Sequence, residues 1–90
     1  MPINIYNSEN ADKVAWLSDD SWELPIQVDD LEKWLFENEN SLPVGKYVAD
    51  IGFDIRKDAC GGGAVLSSRA MGIMSKLGIE LFLSEYPDAE

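Results

Sequence analysis

Residues 46–56, which read KYVADIGFDIR, decide the fold of this chain. Apolar residues alternate with residues that carry every charge of the stretch, and the apolar positions are Tyr47, Ala49, Ile51, Phe53 and Ile55. A period of two is typical of a β-strand that packs one face on a core and exposes the other to solvent. The pattern therefore predicts a strand over 46–56.

A helix is predicted downstream, over residues 67–77. Ser67 or Ser68 offers a hydroxyl to the free N–H groups of its first turn, and Gly78 stands where a left-handed C-terminal cap belongs. Apolar residues recur at helical spacing on the face that we expect to be buried: Ala70, Met71, Ile73, Met74 and Leu77. The apolar run at 79–84 predicts a final strand. Strand, helix and strand together form a βαβ unit, with a right-handed crossover if the strands are parallel.

A second helix is predicted upstream, over residues 29–38. Asp29 can accept hydrogen bonds from the free N–H groups of the first turn, and Glu32 stands at the capping-box position. Leu31, Trp34 and Leu35 form an apolar stripe at helical spacing. Trp34 is expected to lie in the core.

The first 27 residues leave alternatives open. Residues 2–6 alternate apolar and polar side chains and predict a short strand. Residues 14–17 and 22–24 flank a Ser/Asp turn, which favours a hairpin between them, whereas a helix over 11–17 competes with that interpretation. Pro25 lacks an N–H group and is placed at the end or edge of a strand.

These elements predict an α+β fold: a small sheet of three to five strands with two helices packed on one face. The 90 residues fit one domain, covering residues 1–90. Hydrophobic residues make up 46% of the chain, which is enough to build a core.

The net charge of the chain limits the classes of molecule that it can bind. With 17 acidic and 7 basic residues, the formal net charge is −10. Such a field repels nucleic-acid phosphates and anionic membranes and attracts basic proteins. We therefore expect a basic protein as partner, with no direct nucleic-acid or membrane binding. Residues 1–44 hold ten acidic residues and two lysines, so most of the excess lies in the first half.

Two interpretations of the acidic surface remain open: a solvated face that maintains solubility, and a face that binds a basic partner. In the second, Trp22 would act as an aromatic anchor inside a charged rim. The candidate partner-binding residues are Asp19, Asp20, Trp22, Glu23, Asp29, Asp30, Glu32, Glu37 and Glu39.

Catalysis, cofactors and metals are not expected. Without histidine, the chain lacks the commonest general base and metal ligand. The loop with Gly61, Gly62 and Gly63 matches no phosphate-binding motif, and the carboxylates lack EF-hand spacing. The single Cys60 excludes an internal disulfide, and the first residues lack the features of a signal peptide. A cytoplasmic location is therefore expected.

Three segments resemble a family of small bacterial α+β domains of unknown function with immunity-protein-like members. They are residues 20–24 (DSWEL), residues 29–32 (DDLE), and residues 62–67 (GGAVLS) leading to residues 77–81 (LGIEL). The resemblance covers residues 20–86. It implies an α+β sandwich with an immunity-protein-like role and brings no catalytic residues.

The favoured hypothesis is an acidic binding protein that inhibits a basic partner. Its concrete form is an immunity protein or antitoxin that neutralises a bacterial nuclease toxin by occupying its nucleic-acid cleft. One alternative is a phage-encoded inhibitor of a host nuclease defence complex, similar to an anti-CRISPR protein. The other is a self-associating structural domain, a homodimer sealed by Phe82 and Val48 at outward strand positions.

Overall fold

A computed structural model describes residues 2–55, 60 and 63–86 of the chain. Four strands form one mixed sheet in the order β2-β1-β3-β4, and two helices accompany it. The predicted α+β class is confirmed. The elements are β1 (Ile3–Asn7), β2 (Lys13–Leu17), α1 (Leu24–Asn38), β3 (Tyr47–Phe53), α2 (Ser68–Leu77) and β4 (Ile79–Glu85).

The predicted βαβ unit is confirmed, because β3 and β4 are neighbouring parallel strands joined through α2. The Ser67 hydroxyl accepts the N–H of Ala70 at 3.1 Å and caps α2. Gly78 adopts φ of 86° and donates its N–H to the carbonyl of Met74, which closes the helix. Met71 is 50% exposed, so its assignment to the buried face was wrong. Only four residues of that face, Ala70, Ile73, Met74 and Leu77, are buried.

Strand β3 is shorter and more deeply buried than its alternation predicts. It ends at Phe53, and the rest of the predicted strand includes Arg56, which lies outside the described residues. Val48 and Gly52 are buried although they stand on the nominally solvated face. Gly52 is covered on this face by the rings of Trp22 and Tyr86. Val48 is flanked by Tyr6 and Glu80 because β3 lies between β1 and β4.

The predicted hairpin between 14–17 and 22–24 is wrong, and so is the competing helix over 11–17. Strand β2 instead pairs antiparallel with β1, which aligns Ile3 with Leu17 and Ile5 with Ala15. A bulge interrupts this register between Ile5 and Tyr6. Strand β1 offers a longer apolar partner than residues 22–24 do, and it also pairs antiparallel with β3.

Helix α1 begins earlier than predicted, at Leu24. Pro25 lies in the first turn, where its missing N–H group costs no hydrogen bond, rather than at a strand edge. Asp29 is exposed inside the helix and does not cap it, so Glu32 completes no capping box there. The N-cap residue is Glu23, whose side chain makes no capping hydrogen bond.

The core lies between the two helices and one face of the sheet. Leu31 and Leu35 of α1 and Ile73 and Leu77 of α2 form one buried cluster with alternate strand residues such as Ile51. Trp34 is only partly buried and packs against this cluster from its side. Both helices therefore cover the same face, and among the described residues no helix covers the opposite face.

Candidate protein-binding surface

The loop between β2 and α1 carries three of the candidate carboxylates. Asp19 and Asp20 occupy an exposed turn, and Glu23 is exposed at the start of α1. Ser18, with φ of 57°, opens the turn, and its carbonyl accepts the N–H of Ser21 at 3.1 Å. The loop therefore presents Asp19, Asp20 and Glu23 to solvent within one short segment.

Trp22 fastens this loop to the end of the sheet. Its ring lies 5.7 Å from the ring of Tyr86 in an edge-to-face arrangement, and both rings lie beside Gly52. A Cβ atom on Gly52 would come within 2.8 Å of the Tyr86 ring. The carbonyl of Trp22 accepts the N–H of Asp54 at 2.9 Å. Trp22 is thus partly buried and structural, and only part of its surface can contact a partner.

Gln27, in the first turn of α1, binds the same loop through its side-chain amide. Its side chain is fully buried, and Nε2 donates to the carbonyl of Ser21 at 3.0 Å and to that of Gly52 at 2.6 Å. Within the described residues, Oε1 of Gln27 has no hydrogen-bond partner. One amide group therefore connects α1, the acidic loop and the central strand β3.

Three carboxylates of the candidate set form hydrogen bonds or an ion pair with other residues of the chain. Asp30 accepts a hydrogen bond from the hydroxyl of Ser18. Glu32 accepts the N–H of Ser67 at 2.6 Å, and Glu39 lies 3.9 Å from the guanidinium of Arg69. Since Ser67 is the N-cap of α2, Glu32 supplies from α1 the carboxylate that a capping box normally takes from its own helix.

The remaining carboxylates face solvent. Asp29 and Glu37 are exposed on α1, roughly 12 Å apart along the helix by its rise of about 1.5 Å per residue. Among contacts between described residues, neither side chain forms an ion pair or hydrogen bond, and the same holds for Asp19, Asp20 and Glu23. The predicted set therefore contains five carboxylates that have no partner among the described residues, three that form internal contacts, and one tryptophan that packs the loop against the sheet.

A second surface lies on the sheet face that α1 and α2 leave uncovered; we call it the open face. Strand register places Trp16, Asn4, Asp50 and Phe82 in one row across all four strands. The indole N–H of Trp16 donates to Oδ1 of Asn4 at 3.0 Å. Trp16 and Phe82 are 45% and 46% exposed.

The open face already holds a cation on one of its rings. Nζ of Lys13 lies 3.9 Å from the centroid of the Trp16 ring, a cation–π contact. Asp50 accepts the Ser84 hydroxyl at 2.8 Å, which fixes its carboxylate near the middle of the face. Aromatic rings and a carboxylate are thus displayed together, a combination suited to arginine and lysine side chains.

The sequence did contain one signal for this face, since Phe82 and Val48 were assigned to outward strand positions. Phe82 is exposed as that assignment requires, but Val48 is only 3% exposed and cannot contribute to a dimer interface in this structure. The role of Trp16 could not be foreseen, because it depends on β2 pairing with β1.

No cluster of three or more metal-binding side chains occurs in residues 2–55, 60 and 63–86. Over the same residues, no helix is long and apolar enough to cross a membrane. No protein-family model matches the sequence, and comparisons with curated proteins and with solved structures give no significant match. The resemblance to immunity-protein-like domains therefore stays a prediction.

Proposed function

We propose that this chain is a cytoplasmic, non-enzymatic binding protein that inhibits a basic protein, in its most concrete form the immunity protein or antitoxin of a bacterial nuclease toxin. The five exposed carboxylates that have no internal partner among the described residues carry the proposal: Asp19, Asp20, Glu23, Asp29 and Glu37. A carboxylate that only stabilised the fold would be expected to accept an internal hydrogen bond, as Glu32 does from the N–H of Ser67.

The physical basis is complementary charge. A nuclease binds phosphates through lysine and arginine side chains, and an acidic surface competes for the same cleft. With a net charge of −10, long-range attraction raises the association rate, and salt screens this attraction over about 10 Å at 0.1 M. The affinity is therefore expected to fall as the salt concentration rises.

A phage-encoded inhibitor of a nuclease defence complex would use the same surface and the same physics. The two roles differ in the protein that is bound, so the identity of the partner decides between them.

The test is affinity capture from host lysate at low salt, with identification of the captured protein by mass spectrometry. We expect one basic nuclease, released as salt rises, whose cleavage activity is lost when one equivalent of this chain is added. A captured protein that stays fully active with this chain bound would refute inhibition.

A matched pair of variants tests the surface. Asp19→Lys combined with Asp29→Lys is expected to weaken binding to the captured nuclease by at least tenfold, because close charge pairs contribute more than about 1.4 kcal/mol. Glu9→Lys combined with Asp12→Lys changes the net charge equally at the opposite end of the sheet, in the exposed β1–β2 turn. Equal weakening by both pairs would mean that only net charge matters.

A further inference from the structure

The two edges of the sheet are protected differently. Strand β2, at one edge, has five residues, carries a bulge opposite Ile5 and Tyr6, and contains Lys13. Bulges and lysines are features that discourage pairing with another chain. Strand β4, at the other edge, has seven residues in unbroken register with β3 and contains neither lysine nor proline. Among the described residues no strand pairs with its outer side.

Strand β4 exposes one large apolar side chain on each face of the sheet. Phe82 points to the open face, because it shares the register row of Asp50. Leu83 aligns with Ile51 on the helix-covered side and is 58% exposed. Glu80 lies on the open face two residues before Phe82. A long edge that exposes apolar side chains on both faces, and that has no partner strand among the described residues, is a template for strand addition.

We propose that β4 receives an extended segment of the basic partner as a fifth strand of the sheet. The inference rests on the proposed function and specifies how the partner is held. Backbone hydrogen bonds to β4 supply affinity, while alternate side chains of the added strand supply specificity.

The chemistry of the added strand follows from the two faces of β4. Side chains that lie over the open face meet Glu80 and the ring of Phe82, which favour arginine or lysine. Side chains on the other face meet Leu83, which favours valine, isoleucine or leucine. The partner segment therefore alternates basic and apolar residues.

A second copy of this chain fits the same edge poorly. Pairing β4 with another β4 would join two chains that each carry a net charge of −10, and β4 itself contains Glu80 and Glu85 but no basic residue that could offset this charge. The net repulsion between the two acidic chains opposes such pairing. Charge complementarity therefore selects a basic strand over self-association.

The experiment uses a peptide of about ten residues that alternates arginine and valine, titrated into the full chain labelled with ¹⁵N. We expect the largest amide shift changes at Ile79–Glu85, and new protection of β4 amides against hydrogen exchange. One control peptide has the same composition with arginine and valine in separate blocks, and another carries N-methyl groups on every internal amide. Both controls are expected to bind at least tenfold more weakly, because the block peptide cannot place arginine on one face and valine on the other, and the N-methylated peptide cannot donate backbone hydrogen bonds.

A matched pair of protein variants locates the site. Leu83→Asp is expected to weaken binding of the alternating peptide about tenfold, whereas Met71→Asp adds the same charge at a similarly exposed apolar residue of α2 and is expected to change it less than twofold. Shift changes confined to Asp19, Asp29 and their neighbours would overturn strand addition. The proposed function would then still stand, because inhibition of the captured nuclease is measured separately. A molecular mass that doubles with concentration in sedimentation, together with protection of the β4 amides in the dimer, would also overturn the proposal and assign β4 to a second copy.

Discussion

The C-terminal half (β3, α2 and β4) and the N-terminal half (β1, β2 and α1) are built on different kinds of contact. In the C-terminal half, α2 starts at its own capping serine and ends at its own left-handed glycine. In the N-terminal half, α1 has no side-chain cap, and its first turn is held by the bonds of Gln27 to Ser21 and to β3. Capping residues next to the helix define α2 in the C-terminal half, whereas contacts with distant residues hold the first turn of α1 in the N-terminal half.

The largest expected effect tests the local signals of the C-terminal half. Gly78→Ala should lower the free energy of unfolding by about 3 kcal/mol or more, because φ is 86° and the new Cβ would lie 1.9 Å from the carbonyl oxygen of Gly45. Gly72→Ala, inside α2 with open space around its Cβ, should raise the free energy of unfolding by roughly 0.5–1 kcal/mol. Urea denaturation measures both, and two changes of the same sign would contradict this account of Gly78.

A smaller effect tests the long-range contacts of the N-terminal half. Gln27→Leu removes the donor that binds the carbonyls of Ser21 and Gly52, and it should cost about 2 kcal/mol because both carbonyls lose a buried partner. The Trp22 loop should loosen, which faster hydrogen exchange at the Asp54 amide would report.

Asn38→Leu is the matched control for Gln27→Leu. It removes an amide whose hydrogen bond, among the described residues, stays within α1 and goes to the carbonyl of Trp34, so it should cost less than half as much. An equal loss in the free energy of unfolding for the two variants would mean that the hydrogen bond from Gln27 to β3 contributes no more than a bond within the helix.

The smallest effect tests the contact that joins the two halves. Glu32→Ala should lower the free energy of unfolding by roughly 1–2 kcal/mol, because the N–H of Ser67 loses a carboxylate partner at the start of α2. Glu37→Ala makes the same change in the same helix at an exposed position and should stay within about 0.5 kcal/mol. If the two variants unfold at the same urea concentration, Glu32 is not part of the α2 cap.

The same division explains how much of the fold could be predicted. Ser67 and Gly78 lie directly next to the two ends of α2, so the local sequence marks both ends of the helix. The prediction for α2 is therefore correct to within one residue at its start and correct at its end. The pairing of β2 with β1 depends on which apolar run is the better partner, and turn residues do not specify that choice. Pro25 is compatible with both a strand edge and a first helical turn, and only the packing of α1 decides.

The candidate site divides in the same way. Charge and exposure of Asp19, Asp20 and Asp29 could be read from composition, because acidic side chains are rarely buried. The internal hydrogen bonds of Glu32 and Asp30 could not be predicted in this way. Their donors, Ser67 and Ser18, come close to these carboxylates only in the folded chain. The open face depends on the register of four strands, which the pattern of any single strand does not contain.

The place of β1 in the sheet has a consequence for the newly made chain. Strand β1 lies between β2 and β3 in the sheet but precedes both along the chain, so the edge of β1 that pairs with β3 has no partner until α1 and β3 have been synthesised. During that interval Ile3 and Ile5 lack the helices that later bury them. The high acidic content of the first half would then keep separate nascent chains apart until the central strand arrives.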